Sequence, residues 1–414
     1  MSITTPRGIA LYVGALLGPG LMVLPGLAAA EAGPASILAW AGLLVLSGLV
    51  AIVFAVLGVA MPSAGGVAAY ARLGLGERAG RAVGWAFLAG IITGAPVVCY
   101  LGAAYLGYGR GPTAVAAGAL LLLVLAITGR GVRASAGAQL VLVGVLLAVV
   151  VVAVAGALPE ADAGNWTPFA PHGWPAIGSA ATLLMLSFVG WEAIAPLTGD
   201  FANPRRQLPR VIGAAFAITA VLYLALAAVT VAALGDRAAS QVPMAALLSF
   251  TFGAAGPAIA AAAAVLLTLG AANAYLTGGA ALARDLGTRW FRPAIVAASV
   301  VILILFGAGV LPVAAAISVA TSFFLLVYLG CMVSAARLLR GRVRAVALAA
   351  AGAVVAVLAF GGWAVLPAAA LTAAVLLRRG RVRSAERDAD RSLRRPPEPG
   401  ERKGEDRRRE GCAA

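Results

Sequence analysis

The chain is poor in almost every group that a soluble protein spreads over its surface. Only 11% of its 414 residues are charged, and there is one histidine. Lysine occurs once, as Lys403, so nearly all the positive charge is arginine. So few charges over such a length cannot build a water-facing shell, which excludes a soluble globular domain. The three cysteines, Cys99, Cys331 and Cys412, are scattered and give neither a disulfide framework nor metal-ligand spacing. His172, in "NWTPFAPHGWP", reads as a solvated loop residue. No His-Glu-x-x-His, Cys/His pair or aspartate cluster is present, so a membrane enzyme would lack its constellation. No cofactor and no metal is expected.

What fills the chain is apolar: 62% hydrophobic residues and a mean hydropathy of +0.98. Apolar runs of about 20 residues, enough to cross ~30 Å of hydrocarbon, recur from end to end. The fold class is all-α integral membrane, because a β-barrel would show short alternating segments instead. Twelve spans are expected, near 8–30, 35–60, 82–108, 113–129, 135–157, 176–199, 209–234, 257–283, 293–311, 313–336, 345–360 and 362–377. The stretch between the second and third spans, with Arg72 and Arg78, reads as an interfacial helix. The first span is interrupted by "GPG" and Pro25, so it is not read as a cleaved leader.

The formal charge of +15 does not point to nucleic acid, because the arginines punctuate the spans. With the N-terminus in the cytoplasm, the outside connections hold only Arg110 and Arg237. That bias sets both termini inside a plasma (inner) membrane with a multi-pass chain. Residues 379–414 mix both charge signs around a Pro-rich middle and are expected to be a disordered cytoplasmic tail.

Two spans contain backbone that a membrane helix should avoid. "LGPGLMVLPG", residues 17–26, has Gly20 and then Pro25; "LLMLSFVGWEAIAPLTGD", residues 183–200, has Gly190 and then Pro196. Irregular backbone at membrane depth is tolerated only where protein or a polar cavity surrounds it. Matched breaks in the first and sixth spans are the mark of a carrier built from two inverted five-span halves. The expected divisions are residues 1–157, 158–340 and 341–378, followed by the tail. Glu192 lies in the second break, and a carboxyl so deep in an apolar span is read as functional.

These segments resemble the amino acid–polyamine–organocation (APC) superfamily. "LLGPGLMVLP" resembles its first-helix Gly-x-Gly break and "SFVGWEA" its sixth-helix break. "DFANPRRQLPRVI" is similar to its Asn-Pro-x-Arg signature, and "MPSAGGVAAYARLGLG" to its Pro-x-x-Gly-Gly loop. "GWAFLAG", "AANAY" and "LLRGRVR" look like the YjeH-type bacterial exporters of methionine and branched-chain amino acids. The resemblance implies a LeuT-like core that moves amino acids by alternating access. It also implies export of neutral apolar amino acids, with protons as coupling ion and the lipid bilayer as surroundings, by a monomer or homodimer.

Under that resemblance, Gly18, Gly20 and Leu21 would present N–H groups to a carboxylate, helped by the helix dipole. The carbonyls of Ser187, Phe188 and Val189 would accept from an ammonium. Met22, Val97 and Tyr100 would line the side-chain pocket, and Gly190, Trp191 and Asn273 complete the substrate-facing set. Glu192 is the proton-coupling candidate. The gating Trp of related antiporters would fall at Leu186, so that role is vacant or passes to Trp191 or Phe188. The fifth span also lacks the Lys that some proton-coupled relatives carry. Protons through Glu192, sodium through oxygens of the first and eighth helices, and plain exchange therefore stay open, as does import.

Overall fold

The computed structural model describes residues 3–18, 20–60, 66–130, 136–192 and 201–377, apart from the side chains of 136–139. The helices are α1 (Thr5–Leu16), α2 (Gly20–Ala32), α3 (Ser36–Ala60), α4 (Gly66–Leu75), α5 (Glu77–Ala104), α6 (Arg110–Gly129), α7 (Ala136–Ala157) and α8 (Pro175–Leu184). They continue as α9 (Pro204–Leu234), α10 (Pro243–Phe252), α11 (Gly256–Asp285), α12 (Phe291–Gly307), α13 (Val313–Leu338), α14 (Gly341–Phe360) and α15 (Leu366–Leu377). Eight helical stretches among the described residues are long and apolar enough to cross a membrane, and three apolar ones are shorter. Helices are the economical solution, since each pairs its own backbone where lipid offers no partner.

Burial sorts these helices. In α5, 72% of the most apolar window is buried, and in α13 67%, against 17% in α14. Helix α5 touches α4, α6, α11, α12 and α13, while α3 packs on α8, α9 and α14. Phe87 of α5 meets Phe324 of α13 edge-on at 5.8 Å. Small residues let the spans approach closely: a Cβ on Gly90 would sit 3.0 Å from the Phe324 ring.

The motif segments have structural reasons. Asn203 caps α9, its side chain accepting from Arg206 N–H at 3.3 Å, and Pro204 fills the first helical position, where no N–H is needed. Gln207 reaches back to accept from Asn203 N–H at 2.8 Å. The segment expected at the interface is α4, but its Tyr70 is fully buried and the helix packs on α5 and α13. Ser334 of α13 donates to Tyr70 O at 2.5 Å, fixing it there.

Two details depart from the sequence reading. Helix α10 falls in what reads as a connection, because ten residues are too few to register as a span. The twelfth span is a 3-10 turn over Gly362–Val365 followed by twelve helical residues. Pro196 and the tail 379–414 lie outside the described residues.

Candidate functional site between the two helix breaks

Helix α1 stops because Leu17 leaves helical geometry (ψ 72°) and the chain folds back on itself. Leu17 N–H donates to Val13 O at 2.8 Å, and Gly18 N–H to Leu16 O at 3.0 Å. Helix α2 then restarts at Gly20, with Leu21 N–H on Gly18 O at 3.1 Å. Helix α8 tightens into a 3-10 turn over Met185–Phe188, and Val189 is extended (φ −75°, ψ 124°). Both interruptions expected from sequence are therefore present.

They meet backbone to backbone. A Cβ on Gly190 would lie 2.7 Å from Ala15 O and 2.9 Å from Ala15 C, so only glycine lets the second break reach the end of α1.

The carbonyls expected to await an ammonium already have phenol partners. Tyr223 of α9 donates toward Ser187 O at 2.6 Å and Leu16 O at 2.7 Å. Tyr328 of α13 reaches Phe188 O at 3.1 Å, and Tyr275 of α11 reaches Val189 O at 3.2 Å. On the α2 side, Tyr105, just beyond α5, donates to Met22 O at 2.5 Å. Four tyrosines from four elements thus satisfy backbone that lipid could not.

Glu192 is buried within the second break. Its Oε2 accepts from Tyr328 at 2.6 Å and from Gly190 N–H at 3.0 Å. It is the only charged residue type among the buried residues described. Gly190 N–H also lies 3.3 Å from the Tyr328 hydroxyl, closing a three-membered network.

The remaining sequence-derived residues separate into two groups. Leu21, Met22, Val97, Ser187, Phe188 and Val189 are all buried, and Gly20 faces Ser187: a Cβ there would be 3.5 Å from Ser187 Oγ. That Oγ is itself buried, with no partner among the described residues. Asn273 is turned elsewhere, accepting from Thr128 of α6 at 2.9 Å; the α11 side chain that touches the break is Tyr275. Tyr100 packs at a tilt against Phe306 of α12, ring centres 4.7 Å apart, and Tyr105 makes the hydroxyl contact instead. Of the two gate candidates, Trp191 donates to Ser47 of α3 at 2.8 Å and packs on Tyr12. Phe188 packs between Trp40 and Tyr223. His172 bonds Glu31 O at 2.9 Å in an exposed loop, as expected.

Gly18 differs from its neighbours in having no atom of the described residues within 4 Å of where a Cβ would stand. This open space borders the first break. Gly18→Ala should therefore leave the thermal midpoint unchanged while raising the apparent KM for an amino acid by about ten-fold, on ~1–3 kcal/mol of lost fit. Parallel melting and uptake titrations check both halves of that expectation.

Comparison with known proteins follows the same lines. The amino acid permease family model matches residues 3–378. The L-methionine/branched-chain amino acid exporter YjeH of Escherichia coli is 31% identical over 397 residues, covering 90% of this chain and 94% of that protein. The uncharacterized amino acid permease YecA of Bacillus subtilis is 34% identical, over 56% of this chain and about half (55%) of that protein. Among solved structures, MhsT in complex with L-phenylalanine superposes with a TM-score of 0.62 at 15% identity, covering 91% of this chain and 99% of that one. At that identity the likeness speaks for the fold alone, which is LeuT-like, with discontinuous first and sixth helices. A transport family rather than an enzyme family accounts for the sequence, the fold and the paired breaks: the chain belongs to the amino acid permease family of the APC superfamily.

Proposed function

We propose that this permease exports neutral, apolar amino acids (methionine, leucine, isoleucine and valine) in exchange for protons. The observation that carries the reading is the meeting of the two breaks around one buried acid, Glu192, with no buried arginine or lysine among the described residues. A free amino acid brings an ammonium for the carbonyls of the second break and a carboxylate for the first-turn N–H groups of α2. The walls supplied by Met22 and Val97 suit a side chain without charge. The activity in the name of YjeH, which is similar along nearly the whole chain, supports the substrate class and the direction.

The proton reading follows from counting hydrogens. Tyr328 has one hydroxyl hydrogen and two acceptors in reach, Glu192 Oε2 and Phe188 O. With Glu192 ionised, the short bond to the carboxylate holds that hydrogen, and Phe188 O is open to an ammonium. With Glu192 protonated on Oε2, the acid donates to the phenol, and the phenol hydrogen turns to Phe188 O. Proton and amino acid then compete, which is the requirement for antiport. The titratable groups facing Glu192 are Tyr275, Tyr328 and Cys331.

In this reading both termini face the cytoplasm and the halves 1–157 and 158–340 are the inverted repeats. The test is overexpression in a bacterium exposed to toxic analogues of methionine or leucine. Lower internal methionine and greater analogue tolerance are expected; hypersensitivity would make the permease an importer.

A further inference from the structure

The bond that ties the two breaks together is made by a residue outside both. Tyr223 is completely buried on α9, clamped by Trp40 and Phe188, each ring 5.1 Å away. Its hydroxyl oxygen lies 2.7 Å from Leu16 O, the end of α1, and 2.6 Å from Ser187 O, in the break after α8. A phenol has one hydrogen. Two carbonyls crowd against one donor, so the arrangement is one hydrogen short at the place where the two breaks meet.

We propose that Tyr223 is a latch: it holds the two breaks together in the empty carrier and is displaced when a substrate's ammonium takes over Leu16 O and Ser187 O. The inference rests on the amino acid reading above and adds to it a positioning residue on α9. An ammonium brings three N–H donors where the phenol brings one, so the exchange removes the shortage. Latch and substrate thus compete for the same two oxygens.

The competition fixes an unusual sign. Removing a polar group from a binding site ordinarily weakens binding, but here it should strengthen it. In Tyr223→Phe the two carbonyls lose their donor in the empty protein and regain donors only from the ligand. Purified full-length protein is titrated with radiolabelled methionine and with its desamino analogue, 4-(methylthio)butanoate. Tyr223→Phe should bind methionine about two- to ten-fold more tightly, the equivalent of one neutral hydrogen bond. Binding of the desamino analogue should not change. The ligand-free melting temperature should fall, and the rise caused by methionine should be larger than in the wild type.

A variant of unchanged shape covers the possibility that the Phe protein does not fold. Fluorotyrosine at position 223 is a stronger donor in the same place, and it should weaken methionine binding by about two-fold. Weaker or unchanged methionine binding in Tyr223→Phe, or unchanged binding with fluorotyrosine, would overturn the latch while leaving the amino acid reading intact. Failure of the wild type to bind either methionine or leucine would overturn both.

Discussion

Glu192→Gln should abolish proton-driven accumulation while sparing exchange of amino acid for amino acid. A gradient of one pH unit supplies ~1.4 kcal/mol per proton, so one-for-one antiport concentrates its substrate about ten-fold. With glutamine in place of the acid, no proton is carried and the ratio falls to about one. The sign follows from the direction of flow: acid outside drives protons inward and amino acid outward, so outside acid stimulates wild-type efflux and leaves the variant unaffected. Glutamine keeps the shape, and its amide oxygen can still accept from Tyr328 and Gly190, so the network that Oε2 now closes survives. Efflux from preloaded proteoliposomes, with and without the gradient, measures the ratio directly. An unchanged response to pH in Glu192→Gln would remove Glu192 as the coupling site.

The second large effect belongs to Gly190. A methyl group there would press on Ala15 O and Ala15 C at 2.7 and 2.9 Å, and both are backbone atoms that cannot rotate away. The last turn of α1 would have to retreat, taking Leu16 O from Tyr223 and shifting the start of the first break. Overpacking of this kind costs ~1–3 kcal/mol. It falls on the one contact through which the breaks meet, so Gly190→Ala should lower the counterflow rate by at least about ten-fold per folded molecule. Gly18→Ala adds the same methyl group where no atom of the described residues stands within 4 Å, so at saturating substrate its counterflow rate should stay near that of the wild type. If Gly190→Ala transported normally, the backbone contact between the breaks would have no part in the cycle.

The parts of this account that were legible in the sequence are those in which backbone chemistry is written in residue type. The paired clusters of glycine and proline in the first and sixth spans pointed to the breaks, whereas Pro96 lies inside the continuous α5, and "NPRRQ", legible as a family signature, shows its capping role in the fold. Glu192 was conspicuous because charge is costly in lipid. The phenols were not legible. Tyr105, Tyr223, Tyr275 and Tyr328 sit in apolar helices where any aromatic ring would pack equally well, and their hydroxyls find their partners only once the chain is folded. Tyr223 reaches Leu16 across 207 positions. Asn273 illustrates the converse: amide polarity singled it out, yet its partner is Thr128 of α6, and the α11 contact with the break comes from Tyr275, two residues on. A tyrosine in a membrane span carries its polar end on an apolar body, and that end is the signal to follow when a nearby span is broken.

The sharpest single measurement is counterflow in proteoliposomes holding the purified protein, with a panel of neutral amino acids inside and labelled methionine outside, run with and without a pH gradient. The account predicts exchange for methionine, leucine, isoleucine and valine, none for arginine or glutamate, and net efflux driven by acid on the receiving side. Exchange of charged amino acids, or net flux that follows a sodium gradient and ignores pH, would contradict it.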